Sequence, residues 1–317
     1  MHTAFAHKTS FVECGPFDAA WVCERYESAR AALPNATFPQ TCTYVHSLLD
    51  LTREFDVFLL DAFGVLNVGA QAIAGAPAAV AALQANKTVM VLTNGATMSA
   101  ADANAKYASW GFEFAPSHVI ASRDLLLAQL VQEPSDLLWG VAAPEHARLE
   151  QFPVRTVRLL EDPQAYARVD GFVLLSTNEW PQARQQHLVA ALQARPRQVY
   201  VGNPDIAAPR EYGFSIEPGF HAHNLATQCE LAPTFFGKPF PNAFDEVKRR
   251  LKQINIDTID PHRVAMVGDS LHTDILGGRA AGFRTVLVKN HGLFKGLDPE
   301  PFINASGIVP DFIATTT

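Results

Sequence analysis

Short apolar runs alternate with longer stretches of mixed character from about residue 56 onward. Asp56-Val57-Phe58-Leu59-Leu60 and Thr88-Val89-Met90-Val91-Leu92 are near-continuous apolar runs. That length predicts strands buried on both faces, as in a parallel sheet. Between them Pro77 opens an alanine-rich helix, because proline is tolerated in the first helical turn. Ser99 and Asp102 have capping-box spacing before a second helix, and Gly111 is placed to end it. His118-Val119-Ile120-Ala121 reads as a third strand. This β-α-β-α-β order predicts a doubly wound parallel sheet.

The alternation returns late in the chain. Strands are expected at residues 234–236, 263–267 and 284–288. One helix runs from Pro241 toward Gln253, and another ends near Ala281, with Gly282 as its cap. Residues 122–228 lie between the two blocks, with strands expected at 137–142, 171–175 and 199–202 and a helix at 181–194. The organisation that follows is an N-terminal helical extension over 1–42, a core from 43–121 and 229–317, and an α/β domain at 122–228 inserted into that core. One large continuous sheet is the competing arrangement. The extension centres on residues 17–33, and its sequence suggests no role.

Composition narrows the function classes. The chain has 317 residues, a length for roughly two domains. With 18% charged and 48% hydrophobic residues, it is globular rather than disordered. A net charge of −7 speaks against a nucleic-acid footprint. No apolar run approaches the length of a membrane span. The first eight residues lack the apolar stretch of a secretion signal, so a cytoplasmic location is expected. Cys14, Cys23, Cys42 and Cys229 form no C-x-x-C pair. They are expected as buried, reduced thiols, with a Cys14–Cys23 bridge as the alternative.

Four polar signals each follow a strand. Asp61 comes directly after the first, where ligands of open α/β sheets bind. Thr93-Asn94-Gly95 follows the second; it can hold an anion, or simply turn the chain. Gly237-Lys238-Pro239 holds a lysine on a rigid turn, and Gly268-Asp269-Ser270-Leu271-His272-Thr273-Asp274 brings two carboxylates to a strand end and first helical turn. Oxygen ligands so spaced suit Mg²⁺, although Asp274 also complements the helix dipole. Together these groups fit phosphoryl transfer, in which positioning and charge neutralisation dominate. Among the histidines only His221-Ala222-His223 form a close pair, expected in a loop entering a helix and unlike a metal site. Neither Ser176 nor Ser270 has a G-x-S-x-G context.

In their order these four segments resemble the motifs of the haloacid dehalogenase-like (HAD) hydrolases, the last segment most specifically. The long insert is similar to the α/β cap of the NagD-type and p-nitrophenylphosphatase-type branch, whose signature Asn203-Pro204-Asp205 resembles. The resemblance implies a doubly wound, Rossmann-like core with an inserted α/β cap, and a Mg²⁺-dependent phosphatase of a small phosphorylated metabolite. It implies Asp61 as nucleophile, with Lys238 and Asp274 in the catalytic group. Asp61, the backbone carbonyl of Phe63 and Asp269 would hold the metal. Thr93, Asn94, Gly95, Asn203 and Asp205 would face the substrate. Neither a nucleic acid nor a membrane is an expected partner, and a homodimer is left open. One position departs from the family pattern. Phe63 stands where these phosphatases carry the aspartic general acid, a group worth about 10²–10⁴ in rate. Two alternatives therefore stay open: a phosphometabolite-binding protein with impaired catalysis, and a metal-independent dehalogenase-like hydrolase, against which the Asp269/Asp274 pair speaks.

Overall fold

The computed structural model describes residues 17–317 except Glu161, Glu179, Tyr212 and residues 255–259. Cys14, and with it the alternative of a bridge to Cys23, lies outside them. Among the described residues Cys23, Cys42 and Cys229 are free thiols, half-buried rather than buried as expected.

The apolar runs at 57–60, 88–93 and 264–268 are the middle of a parallel sheet of seven strands. Its order is Thr43–Ser47, Phe312–Thr316, Arg284–Val288, Val264–Gly268, Val57–Leu60, Thr88–Thr93, Val119–Ala121. Alternate side chains serve opposite faces, as a two-residue period requires. Phe58, Leu60, Val89 and Val91 pack under the helices Ala76–Gln84 and Ala100–Ser109. Val57, Leu59, Met90 and Leu92 pack under Pro241–Gln253 on the other side. The sheet is thus doubly wound, as the alternation predicted. The cap of the Ala100–Ser109 helix is simpler than a capping box: the Ser99 hydroxyl accepts the Asp102 N–H and itself donates to the Asp102 carboxylate. The strand Thr43–Ser47 at the sheet's edge and its inner neighbour Phe312–Thr316 were not foreseen.

A second, separate parallel sheet has five strands in the order Thr234–Phe235, Gln198–Val201, Gly171–Leu174, Leu138–Ala142, Arg155–Arg158. One large continuous sheet is therefore not what forms. The helices Pro163–Arg168, Gln182–Ala194 and Pro218–Cys229 cover one face. Ser122–Leu130 covers the other, placing Leu126 and Leu130 against Trp139, Val141 and Val173. The strand at 234–235 was expected among the late core elements but pairs with Tyr200 and Val201 of this sheet. The cause is the preceding helix. Pro218–Cys229 buries Ala222 and Leu225 in this sheet's core, so the chain leaves it beside the Gln198–Val201 edge. His221 and His223 lie inside that helix rather than in a loop at its entrance.

The expected N-terminal helix forms at Ala19–Ser28, where the Asp18 carboxylate caps it by accepting the Trp21 N–H. A 3₁₀ turn follows at Arg30–Ala32. Among the described residues no helix is long and apolar enough to cross a membrane.

Candidate active site

Strand register assembles the site. Leu60 pairs with Val267 on one side and Val91 on the other. Residues 61, 93 and 268–269 therefore leave the sheet at the same edge, the carboxyl ends of its strands. Asp61 turns there, its carboxylate accepting the Ala62 N–H at 2.7 Å. Gly64 follows with φ +73°, and a β-carbon on it would lie 2.5 Å from the side chain of Asp269. Only glycine lets the loop after Asp61 approach the second acid this closely.

After Gly268 the chain makes a π-type turn, Leu271–Ile275, before the α-helix Leu276–Ala280. The Ser270 carbonyl accepts both the Asp274 and the Ile275 N–H. The widened turn brings Asp274 back over the strand end, where it accepts the Ser270 N–H at 3.1 Å. Such turns inside helices often occur at functional sites. Asp269 is fixed by the Ser270 hydroxyl at 2.9 Å and the Leu293 N–H at 2.9 Å. One carboxylate oxygen from each of Asp61, Asp269 and Asp274 lies within 4.8 Å of the others.

Lys238 is the counter-charge. Its Nζ lies 2.5 Å from Asp61 Oδ1 and 2.7 Å from Asp274 Oδ1. Burial opposes the ammonium, but Asp274 and Asp61 outweigh it and hold the group above its ordinary value. One lysine does not neutralise three acids. Burial pushes Asp61 up to about 7 against the pull of Lys238, with Asp274 adding to the rise. Asp269 is raised to about 8 by burial and then by Asp274 and Asp61. A buried carboxylate cluster with unbalanced charge fits a hard divalent cation, which takes oxygen ligands.

A cavity of about 500 Å³ opens over Asp61, Phe63, Thr93 and Asp269. Gly95, Asn203 and Asp205 also line it, so strand ends of the first sheet and the 203–205 segment meet there. Lys238 and Asp274 lie behind this wall, 1% and 0% exposed. The Thr93 hydroxyl accepts the Gly95 N–H at 3.1 Å. Asn94 is already committed. Its amide donates to Asp205 Oδ1 at 2.8 Å and to the Lys238 carbonyl at 2.9 Å, and accepts the Lys238 N–H at 2.8 Å. Gly237, at φ +126°, lets the chain pass the Asn94 amide, which a β-carbon would meet at 2.5 Å. Asn203 is engaged likewise, donating to Glu217 at 3.1 Å and accepting the Asp205 N–H at 3.0 Å. Asn94 organises the wall with both of its amide N–H groups engaged, and Asn203 braces it through one of its two. Asp205 is raised to about 7, by burial against the influence of Lys238 and Asn94.

Phe63 lines the cavity, with the Arg210 guanidinium 5.6 Å from its ring centre. Arg210 comes from the hairpin Ala207–Pro209 and Phe214–Ile216 and pairs with the buried Glu217 at 2.8 Å. The sequence carries no signal for these two residues. They are isolated charges whose meeting depends on a hairpin too short to show alternation.

Comparison with known proteins agrees with this geometry. The model of the haloacid dehalogenase-like hydrolases matches residues 58–150, and a second model, HAD-hydrolase-like, matches residues 235–313. A D-glycerol 3-phosphate phosphatase of Mycobacterium tuberculosis is 29% identical over 243 residues, 75% of this chain and 64% of that protein. The chain thus spans just under two thirds of that relative's length. A possible sugar phosphatase of the HAD superfamily from Cytophaga hutchinsonii superposes with a TM-score of 0.75 at 23% identity, covering 86% of this chain and 98% of that one. A glycerol phosphate phosphatase from Mycobacterium tuberculosis in complex with magnesium superposes at 0.58 with 24% identity, covering 76% and 69%. The chain belongs to the haloacid dehalogenase-like hydrolases.

Proposed function

We propose that the protein is a divalent-cation-dependent phosphomonoesterase acting on a small phosphorylated metabolite, with the insert at about 122–228 as its cap. What carries the reading is the trio of Asp61, Asp269 and Asp274 at one sheet edge, with Lys238 bridging Asp61 and Asp274, open to a cavity through Asp61 and Asp269. The relatives support it by being named phosphatases, one of them solved with magnesium.

Asp61, Asp269 and the backbone carbonyl of Phe63 would hold Mg²⁺, with Asp274 behind them. When bound, the ion neutralises charge on the phosphoryl oxygens. The Asp61 carboxylate attacks phosphorus, the bond to the leaving oxygen breaks, and an aspartyl-phosphate forms. Water then adds to phosphorus, phosphate departs, and the carboxylate is regenerated. Lys238 keeps Asp61 in its ionised, attacking form, and Thr93 with the Gly95 backbone borders the phosphoryl oxygens. Asn94 holds Lys238 and Asp205 in place, while Asn203 fixes Asp205. Phe63 donates no proton, so the leaving group must depart with little help.

The test is a panel of aryl phosphates and small phosphomonoesters assayed with and without Mg²⁺. Turnover that needs the cation supports the reading, whereas full activity in excess chelator removes the metal from it. Phe63 favours a second reading, a phosphometabolite-binding protein. Tight phosphate-ester binding without turnover would select it.

A further inference from the structure

The N-terminal helix lies outside both matched family regions, yet it touches both walls of the site. Tyr26 is 2% exposed, and a hydroxyl so deeply buried needs a partner. Its oxygen accepts the N–H of Ile206 at 3.0 Å. Ile206 adjoins Asp205, which Asn94 joins to Lys238. The Tyr26 ring stacks on His272, with centres 4.9 Å apart and planes 3° apart. The next residue, Glu27, accepts from His272 Nε2 at 2.6 Å. His272 stands between Asp269 and Asp274 in the π-type turn and is fully buried. Among the described residues its Nδ1 has no partner, so the contact to Glu27 is the hydrogen bond that orients the ring. Ala19 and Val22 seat the helix in one apolar cluster with Leu271, Ile275 and Ile206.

We propose that Tyr26 and Glu27 are positioning residues that clamp the 203–206 segment to the Gly268–Asp274 turn. Tyr26 acts on the substrate side, through Ile206 and Asp205. Glu27 acts on the acidic turn, through His272. A helix serving only stability could carry apolar side chains at both positions, because its buried apolar face already docks it. The proposal rests on the phosphomonoesterase reading of this site.

The full chain is compared with Tyr26→Phe, which keeps the ring stack and removes only the hydroxyl, and with Glu27→Ala. With p-nitrophenyl phosphate, kcat/KM should fall about fivefold or more in Tyr26→Phe, the lower end of coupling between linked sites. In an Asp205→Asn background the same change should have no further effect, because residues acting through one another are not additive. In calorimetric titration with MgCl₂, Glu27→Ala should bind about fivefold more weakly and Tyr26→Phe as tightly as wild type. Lower melting temperatures with kinetics and Mg²⁺ affinity within about twofold would overturn the proposal. So would a Tyr26→Phe loss that simply adds to that of Asp205→Asn. If the wild type turns over no phosphomonoester, the phosphatase reading fails alone, and titrations with MgCl₂ and inorganic phosphate still test the clamp in the same variants. A wild type that binds neither overturns both.

Discussion

At the scale of single residues, Asp61 and Phe63 separate what the site can do from what it does well. Asp61→Asn keeps shape but removes the nucleophilic charge, and Lys238 retains Asp274 at 2.7 Å, so the lysine is not left uncompensated. Turnover of p-nitrophenyl phosphate should drop to background while circular dichroism stays native. A wild-type rate would show that another group attacks phosphorus. Phe63 predicts dependence on the leaving group. A phenolate departs without a proton, whereas an alkoxide needs one, so aryl phosphate turnover should far exceed that of glycerol or sugar phosphates. Phe63→Asp should narrow the gap. Arg210, now 5.6 Å from the ring, would favour the ionised form of a new carboxyl. The gain then sits near about 10², the low end for a general acid. Comparable wild-type rates on both ester classes would mean that another group delivers the proton. Asp61, Thr93 and Asp269 were legible because each follows an apolar run whose end marks the ligand-binding edge, and Lys238 because it follows a short apolar run, although that strand joins the second sheet. Tyr26, Glu27 and His272 were not. Their contacts span about 245 positions, and neither a buried tyrosine nor a buried histidine announces its partner in a single sequence.

At the scale of elements, the helix Pro218–Cys229 ties the second sheet to the site and carries two histidines into an apolar interior. Burial lowers both His221 and His223 from 6.5 to about 4, and among the described residues the His221 Nδ1 has no partner. Folded, both rings stay neutral across a range in which the unfolded chain protonates them. The unfolded state therefore binds more protons between about pH 6.5 and 4, and stability falls as pH drops through that window. Each unit of depression is worth about 1.4 kcal/mol when fully developed. Thermal unfolding followed from pH 7.5 to 4.5 should show the loss, and His221→Gln with His223→Gln should flatten it. An unchanged slope in the double variant would place the acid sensitivity elsewhere. The pair was expected beside this helix rather than within it, because Pro218-Gly219 reads as a turn while proline also fits a first helical turn. The strands that escaped notice failed for a related reason. Thr43–Ser47 is half exposed at a sheet edge, and Arg155–Arg158 has the same character in the second sheet. Edge strands lack the continuous apolar run that betrays a strand buried on both faces.

At the scale of the molecule, the chain holds its acids together with distant pieces of itself. Asp61 and the 269–274 turn are separated by 207 residues, which include the whole second sheet, and their carboxylate oxygens lie within 4.8 Å of each other. Without a cation this crowding works against the fold, since buried like charges raise one another's cost. A divalent ion that binds only the folded chain adds stability by mass action, about 2.7 kcal/mol at a hundredfold excess over its Kd. At roughly 2–4 °C per kcal/mol for large domains, saturating Mg²⁺ should raise the melting temperature by about 5–10 °C. Asp269→Asn isolates the cause. The asparagine oxygen can still accept the Leu293 N–H that Asp269 now holds at 2.9 Å, while one of the three ionisable carboxyls is gone. In chelator the variant should melt at or above the wild-type temperature, and Mg²⁺ should move it little. The two melting curves then exchange order as the ion is added, an outcome that a general salt effect on the surface does not produce. An equal Mg²⁺-induced rise in both proteins would place the ion away from Asp269, and no rise in the wild type would leave the acidic trio to be balanced by Lys238 alone.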